Sequence, residues 1–156
     1  MKQTLQEEPM LASRRFFRHW QGTTVRHCDL DPNDHVTNSV FGAWFDDGRY
    51  GLLKQYLRPI VAQSDVFALV SVTIDFSREI AFGELPEVGT AILEVGRSSI
   101  IMGQGLFIAG ACAASCRSVT VMMDGVSRRP RPLNEAERDI LMSFAGLREN
   151  AAADWS

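Results

Sequence analysis

The sequence has no long apolar run and no excess of basic charge, and each absence argues against one class of partner. No apolar stretch approaches the roughly 18 residues that a membrane-spanning helix needs. Sixteen Lys and Arg residues stand against nineteen Asp and Glu residues, which gives a net charge of −3. Proteins that hold nucleic acid through its phosphates usually have the opposite balance. We therefore expect neither a membrane nor a nucleic acid as a partner.

Cysteine is scarce, with three residues at positions 28, 112 and 116. An odd number of cysteines, together with a start that carries Glu7 and Glu8 and no apolar stretch, is typical of reduced thiols in the cytoplasm rather than of a secreted protein. None of the three has a His or a second Cys at metal-ligand spacing. We predict no metal site and three small, buried, hydrophobic thiol side chains.

The common nucleotide and hydrolase motifs are also absent. The sequence contains no G-x-S-x-G, no G-x-x-x-x-G-K-[ST] and no G-x-G-x-x-G, so no cofactor is predicted. The acidic stretch from Asp29 resembles the start of an EF-hand calcium loop. The position that needs Gly holds Asp34, however, and the position of the bidentate Glu holds Val40, which excludes that loop.

The 156 residues, 46% of them hydrophobic, suggest a single globular domain. We assign residues 15–147 to that domain, residues 1–14 to a flexible N-terminal tail and residues 148–156 to a C-terminal tail. Alternation of apolar and polar residues predicts strands at 23–28, 66–77, 88–97, 100–109 and 111–124. Helical periodicity predicts a long helix over 40–57, and a capping box of Asn134 and Glu137 predicts the start of a last helix.

This order predicts an α+β fold, in which a curved antiparallel sheet wraps around one long central helix and a C-terminal helix follows. A single helix leaves part of the sheet uncovered or its edge open. Because an open edge invites pairing with a second copy, we expect a dimer or a larger assembly.

The densest polar cluster lies directly before the long helix and reads DLDPNDHVTN from Asp29 to Asn38. The N-terminus of a helix offers unpaired N–H groups that can stabilise an oxyanion, and a nearby carboxylate can act as general base or nucleophile. This pairing suits acyl transfer on a reactive ester. The alternative is that these residues only cap the helix and solvate a turn, where Asp and Asn are common.

Residues 25–49 resemble the signature of hotdog-fold acyl-CoA thioesterases of the 4-hydroxybenzoyl-CoA thioesterase type. That signature has an Asp-x-Asp pair, a Gly-His-Val-Asn-Asn stretch and an aromatic-rich helix that often ends in Arg. The matching residues are Asp29 and Asp31, then His35, Val36 and Asn38, then Phe41, Phe45 and Arg49. Weaker matches are the Gly96–Ser99 turn and the loop at 129–133.

The resemblance implies the hotdog fold, assembly as dimers or tetramers, and hydrolysis of an acyl-CoA thioester. It implies a catalytic carboxylate at Asp31 and an oxyanion site at the backbone N–H near Asn38. Asp34 stands where the family usually has Gly, and Thr37 where it often has Asn. A Gly at the first of these positions suggests positive φ, which Asp tolerates at some cost.

Other residues have two interpretations each. His35 either orients the loop, which we favour, or touches substrate or shares the acid–base work. Asp46 is a second candidate acid, although an exposed ion pair with Arg49 is the simpler interpretation. Candidates for binding the coenzyme A phosphates are Arg97, Ser98, Arg117, Arg128 and Arg129; the alternative is that they are solvated surface residues.

Two rival functions remain open. One is a hotdog hydratase or dehydratase that acts on a CoA- or carrier-bound acyl chain, and the other is a non-catalytic module that binds acyl-CoA. Hydration of an enoyl-CoA without release of thiol would indicate the first. Tight binding without turnover would indicate the second.

Overall fold

The computed structural model describes residues 8–147. The strands are β1 (His19–Gly22), β2 (Val66–Phe76), β3 (Glu87–Val95), β4 (Ser99–Ile108) and β5 (Ala111–Met123), and the α-helices are α1 (Asn38–Leu52) and α2 (Glu135–Met142). The predicted architecture of an antiparallel sheet, one long central helix and a C-terminal helix is confirmed. No helix within residues 8–147 is long and apolar enough to span a bilayer.

The five strands form one antiparallel sheet in the order β1-β3-β4-β5-β2. Strand β2 is therefore an edge strand, and it is eleven residues long. Its large apolar side chains are exposed by 45% at Leu69, 60% at Val70, 46% at Val72 and 47% at Phe76. A long, apolar and exposed edge strand is the kind of edge that pairs with another chain.

The glycines of α1 let its backbone approach the sheet closely. A Cβ atom at Gly48 would lie 2.8 Å from Gln104 Nε2, and one at Gly51 would lie 2.5 Å from Gln21 Oε1. These contacts explain why a central helix contains glycine despite its cost to helix stability. Beyond Leu52 the chain continues as a π-helical turn (Leu53–Leu57) and a 3₁₀ turn (Arg58–Ile60), so the predicted helix over 40–57 is not α-helical throughout.

A buried polar network lies between α1 and the sheet. Arg49, only 5% exposed, donates from Nη1 to Gln104 Oε1 at 2.9 Å and to Cys116 Sγ at 3.5 Å. Gln104 Nε2 donates to the carbonyl of Phe45 at 2.8 Å and to Thr90 Oγ1 at 3.0 Å. These bonds pair the buried side chains of Arg49, Gln104 and Thr90, as buried polar groups generally require.

The strand predicted at 23–28 is wrong. The first strand ends at Gly22, and residues 27–29 form a 3₁₀ turn. The cause is Arg26, whose backbone N–H and guanidinium both donate to the Asp29 carboxylate and bend the chain. These local hydrogen bonds override the preference of residues 23–28 for a strand.

The described part of the predicted N-terminal tail is packed rather than loose. Pro9–Ala12 form a 3₁₀ turn on the sheet, and Leu11 is fully buried against Gly103 and Leu93. A single buried Leu leaves no periodicity that would have predicted this contact. The remainder of the predicted tail, residues 1–7, and the predicted C-terminal tail, residues 148–156, lie outside the described residues.

The start of α2 is as the capping box predicts. Asn134 Oδ1 accepts from the Glu137 N–H at 2.9 Å, and Glu137 Oε1 accepts from the Asn134 N–H at 2.8 Å. Arg131 Nη2 binds Glu137 Oε2 at 2.6 Å and Asp65 Oδ2 at 2.8 Å, which ties α2 to the loop before β2.

The prediction that all three thiols are buried is wrong at one position. Cys116 is buried and Cys112 is half-buried, but Cys28 is exposed, because the 3₁₀ turn at 27–29 turns its side chain outward. All three thiols are free. Burial raises the pKa of the Cys116 thiol to about 11, although the nearby Arg49 guanidinium acts in the opposite direction.

Candidate active site

The loop between residues 29 and 37 is a closed turn that ends at the N-terminus of α1. The Thr37 N–H donates to the Asp29 carbonyl at 2.9 Å, and the Asp31 N–H donates to the His35 carbonyl at 2.8 Å. At its tip, Asp34 has a φ of +60°, the left-handed conformation that the glycine of the resembled signature suggests. These bonds place Asp31 opposite His35, and Asp29 opposite Thr37, the residue directly before α1.

The two acids of the Asp-x-Asp pair have different environments. Asp29 is 1% exposed, and its carboxylate accepts from Arg26 Nη2 at 2.9 Å and from the Arg26 N–H at 2.8 Å. The side-chain hydrogen bonds from Arg26 lower the pKa of Asp29. Asp29 is therefore a structural residue whose carboxylate already has partners.

Asp31 is only half-buried, and its Oδ1 accepts from the backbone N–H groups of Asn33 at 2.8 Å and His35 at 3.1 Å. The two backbone bonds orient the carboxylate without the charge of a basic residue. A carboxylate held in this way is oriented and still accessible, as a general base or nucleophile must be.

Asn38 is the first residue of α1 and is exposed. The first N–H groups of a helix have no partner within the helix, and the helix dipole adds positive potential there. Thr37 occupies the N-cap without a side-chain cap bond to these groups. The start of α1 can thus donate to an oxyanion beside Asp31.

His35 links the acidic loop to the segment that follows β2. Its Nε2 lies 3.3 Å from Glu79 Oε2, and its backbone pairs with Ala81. Next to it, the Val36 N–H donates to the Ile80 carbonyl at 2.8 Å. The imidazole is 38% exposed, so solvent still reaches it.

A cavity of about 270 Å³ opens at the start of α1, on the side of the edge strand β2. It is lined by Asn38, Phe41, Phe76, Ser77, Arg78 and Glu79. The rings of Phe41 and Phe76 meet edge to face with centroids 5.2 Å apart. An apolar wall beside helix N–H groups is typical of a site that takes an apolar group attached to a carbonyl.

Sequence reasoning missed Phe76, Arg78 and Glu79 as part of this site. They follow the acidic loop by about forty residues, and the contacts of His35 and Val36 with residues 79–81 bring the two segments together. Their one sequence signal is that the alternating apolar pattern of β2 ends at Phe76 and charged residues follow.

A second cleft, of about 480 Å³, lies on the opposite flank of α1, between the helix and residues 23–26. Its lining residues are Thr23, Thr24, Arg26, Ser39, Val40, Ala43, Trp44 and Asp47. The first turns of α1 are therefore open on both flanks.

Asp46, the second candidate acid, lies on α1. Its Oδ1 is 3.3 Å from Arg49 Nη2, and its side chain is 68% exposed. This is the i,i+3 ion pair that the spacing suggests.

The candidate coenzyme A residues lie far from Asp31 within one chain. Arg97 and Ser98 form the turn between β3 and β4, where their carbonyls accept from Leu133 and Met122. Arg128 and Arg129 are exposed in the loop after β5, beside the same end of the sheet. The Asp31 loop adjoins the other end, through the pairing of His35 with Ala81, and the two ends are separated by the length of β4, about 30 Å at about 3.3 Å per residue.

Arg117 differs from the other candidates. It lies within β5, and its Nε is 3.6 Å from the carboxylate of Glu8. Its neighbour Cys116 points toward α1, so alternation along the strand places Arg117 on the opposite face. One chain thus brings together Asp31, His35 and Asn38, but not the predicted phosphate-binding residues. Within the described residues, no group of three or more His, Cys, Asp or Glu side chains could hold a metal ion.

Comparison with known proteins agrees with the architecture. A family model described as the thioesterase-like superfamily matches residues 25–141. A crystal structure of a Pseudomonas aeruginosa protein is 26% identical with a TM-score of 0.79, covering 87% of this chain and 97% of its own. A comparison with curated proteins finds no match.

Two similar structures contain coenzyme A. A thioesterase from Thermus thermophilus, complexed with coenzyme A and zinc, is 30% identical with a TM-score of 0.70, covering 80% of this chain and 98% of its own. A Staphylococcus aureus protein in complex with CoA is 14% identical with a TM-score of 0.73, covering 83% and 85%, and shows the fold alone.

Proposed function

Because the chain belongs to the thioesterase-like superfamily and has the hotdog fold, we propose that it hydrolyses acyl-CoA thioesters to a free acid and coenzyme A. The observation that carries this proposal is the contrast between the two loop acids. Asp29 is buried and paired with Arg26, whereas Asp31 is oriented by two backbone N–H groups beside the start of α1. The 30% identical Thermus relative, bound to coenzyme A, supports the choice of thioester.

In this mechanism the thioester carbonyl lies at the start of α1. The N–H groups near Asn38 stabilise the oxyanion. Asp31 either takes the proton of a water that attacks the carbonyl, or attacks the carbonyl itself and forms an anhydride that water then hydrolyses to the free acid. The leaving thiolate needs little protonation, since a thiol pKa near 8.5 makes it a good leaving group. His35 helps to hold the loop through its contact with Glu79.

The candidate coenzyme A residues become part of this site when two copies of the chain assemble. If two copies of β2 pair antiparallel over their whole length, Phe76 of one copy lies opposite Val66 of the other. Val66 pairs with Met123 in its own sheet, next to the loop that carries Arg128. The pairing therefore brings the Arg97, Ser98 and Arg128 end of one subunit toward Asp31 of its neighbour. We propose a homodimer or a homotetramer with shared sites.

A cytoplasmic location is part of the proposal, because it follows from the cysteine usage.

The substrate within the acyl-CoA class is best found by a thiol-release assay over a panel from short aliphatic to long-chain and aromatic acyl-CoAs. We expect release of coenzyme A from at least one of them. Hydration of an enoyl-CoA without thiol release, or tight binding without turnover, would contradict the proposal and indicate a hydratase or a binding module instead.

A further inference from the structure

The 270 Å³ cavity has one acidic and one basic side chain in its lining, Glu79 and Arg78. The Glu79 side chain is 75% exposed. Asp31 and Asp34 lie in the loop whose His35 pairs with Ala81, and Glu84 lies a few residues beyond Glu79.

That arginine is already occupied. Arg78 Nη2 binds Glu84 Oε1 at 2.6 Å, and Arg78 Nε donates to the Glu79 carbonyl at 3.3 Å. Glu84 in turn accepts from the Ala81 N–H at 2.9 Å through its other oxygen, which fixes the pair in the loop. The Arg78 charge is therefore compensated by Glu84. Within residues 8–147, the ion-pair partner of the Glu79 carboxylate is the imidazole of His35, at 3.3 Å, and that ring is cationic only when it is protonated.

The cations that could bind phosphate lie elsewhere. Arg97, Arg128 and Arg129 are all exposed at the opposite end of the sheet. The chain thus separates a basic end, which suits the coenzyme A phosphates, from an acidic end at the start of α1.

We propose that Glu79 makes the site selective for acyl groups without a negative charge, so that acyl chains ending in a carboxylate are rejected. This inference rests on the proposed acyl-CoA hydrolysis. The acyl chain leaves the carbonyl at Asn38 along the Phe41 and Phe76 wall and meets Glu79 at the rim. A terminal carboxylate there is repelled, and the one arginine that lines the cavity from the same chain, Arg78, is already paired with Glu84. Rejection by an uncompensated like charge is a common source of specificity.

The test compares acyl-CoA pairs that differ only in a terminal carboxylate: pentanoyl-CoA against glutaryl-CoA, and hexanoyl-CoA against adipoyl-CoA. In the unmodified protein, kcat/KM should favour the neutral member at least about tenfold, since one or two charges a few ångströms away in partly exposed surroundings supply that much. Glu79→Gln should lower this ratio about threefold and Glu79→Lys at least about tenfold, because they remove and then reverse the same charge. High salt should lower the ratio in the unmodified protein and much less in Glu79→Gln.

Glu94→Gln is the matched control, because Glu94 is an exposed acid on β3, separated from β2 by two strands. It should leave both ratios unchanged. Since each result is a ratio within one variant, a general loss of activity cancels, and circular dichroism checks that each variant is folded.

An unchanged ratio in Glu79→Lys would overturn the inference even if the protein is an active thioesterase. If no acyl-CoA is hydrolysed at all, the proposed function fails, and the inference is then judged by calorimetry with thioether analogues of the same pairs. In that case the dissociation constant of the carboxylate-ended analogue, divided by that of its neutral partner, must be lower in Glu79→Lys than in the unmodified protein. An equal ratio in these two proteins overturns the inference.

Discussion

At the scale of single residues, the decisive contrast is between Asp31 and the other acids near α1. Asp31→Asn removes the negative charge but keeps an oxygen that can accept from the N–H groups of Asn33 and His35. The loop should therefore keep its shape while the base or nucleophile is lost. We expect kcat to fall at least about 10²-fold with KM nearly unchanged, measured on the best substrate of the panel.

Asp46→Asn is the matched variant for this comparison. Asp46 is exposed and paired with Arg49, so its replacement should cost much less activity. If Asp31→Asn keeps full activity while Asp46→Asn is inactive, the catalytic carboxylate lies on α1 and the mechanism proposed above is wrong.

Gln104 gives a second prediction at this scale. Gln104→Leu removes the oxygen that accepts from Arg49 Nη1 and the amide that donates to the Phe45 carbonyl. We expect a loss of about 2–3 kcal/mol in the free energy of unfolding, the usual cost of unpaired buried polar groups. Urea denaturation measures it.

The double variant Gln104→Leu with Arg49→Met provides the control, since it removes both partners. Its loss should be clearly smaller than the sum of the two single losses. Strictly additive losses would show that the two side chains do not depend on each other.

Some residue-level features could be predicted from the sequence and others could not. The positive φ at Asp34 follows from the resemblance, because a local turn depends on its own few residues. The exposure of Cys28 and the position of Glu79 beside the start of α1 depend on which segments meet in space. No spacing in the sequence reports the contact between His35 and Glu79.

At the scale of whole elements, periodicity predicted the long strands and both helices, and it failed where local hydrogen bonds decide. The 3₁₀ turn at 27–29 replaces a predicted strand because Arg26 and Asp29 cap each other. The capping box of α2 was predictable for the same reason, since Asn134 and Glu137 are three residues apart. The contact of Arg131 with Asp65 was not, because it joins two loops 66 residues apart.

The Arg131 cluster gives a prediction for pH. Hydrogen bonds from Arg131 hold the pKa of Glu137 below its ordinary value of 4.5. A lowered pKa contributes stability that is fully present above that ordinary value and is lost as pH falls through the lowered pKa of the folded state. Arg131→Met should lower the free energy of unfolding by about 3 kcal/mol at pH 7, because the buried carboxylates of Glu137 and Asp65 then lose their basic partner.

The difference between the unmodified protein and Arg131→Met should shrink as pH falls below the ordinary carboxyl range, because the unfolded chain then takes up protons and the Glu137 charge contributes less to stability. Urea denaturation at pH 7 and at about pH 3 measures this, with the ordinary carboxyl pKa values lying between the two. A difference that stays constant over this range would show that the Glu137 charge does not contribute.

At the scale of the whole molecule, Asp31 and the phosphate-binding candidates occupy opposite ends of the sheet, and a second copy is needed to unite them. Arg97→Ala and Arg128→Ala should raise KM with little change in kcat, because each removes a contact that binds the substrate and the transition state equally. Arg117 is paired with Glu8 on the other face of β5, so Arg117→Ala should have the smallest effect. Steady-state kinetics on one acyl-CoA test this, and an unchanged KM in all of these variants would show that coenzyme A is held elsewhere.

The assembly itself depends on the edge strand β2. Val72 is 46% exposed on this strand, and a Lys there would place a charge where the second copy of β2 is proposed to pair. Val72→Lys should shift the protein toward a monomer in light scattering at micromolar concentration. It should also lower kcat/KM at least tenfold, roughly the loss expected when one binding group is removed. Met142→Lys, at a 50% exposed position on α2, is the control and should change neither property. A monomeric Val72→Lys variant with full activity would show that one chain holds the complete site. Coenzyme A would then have to span, within one chain, the roughly 30 Å that separates the Asp31 end of the sheet from the Arg128 end.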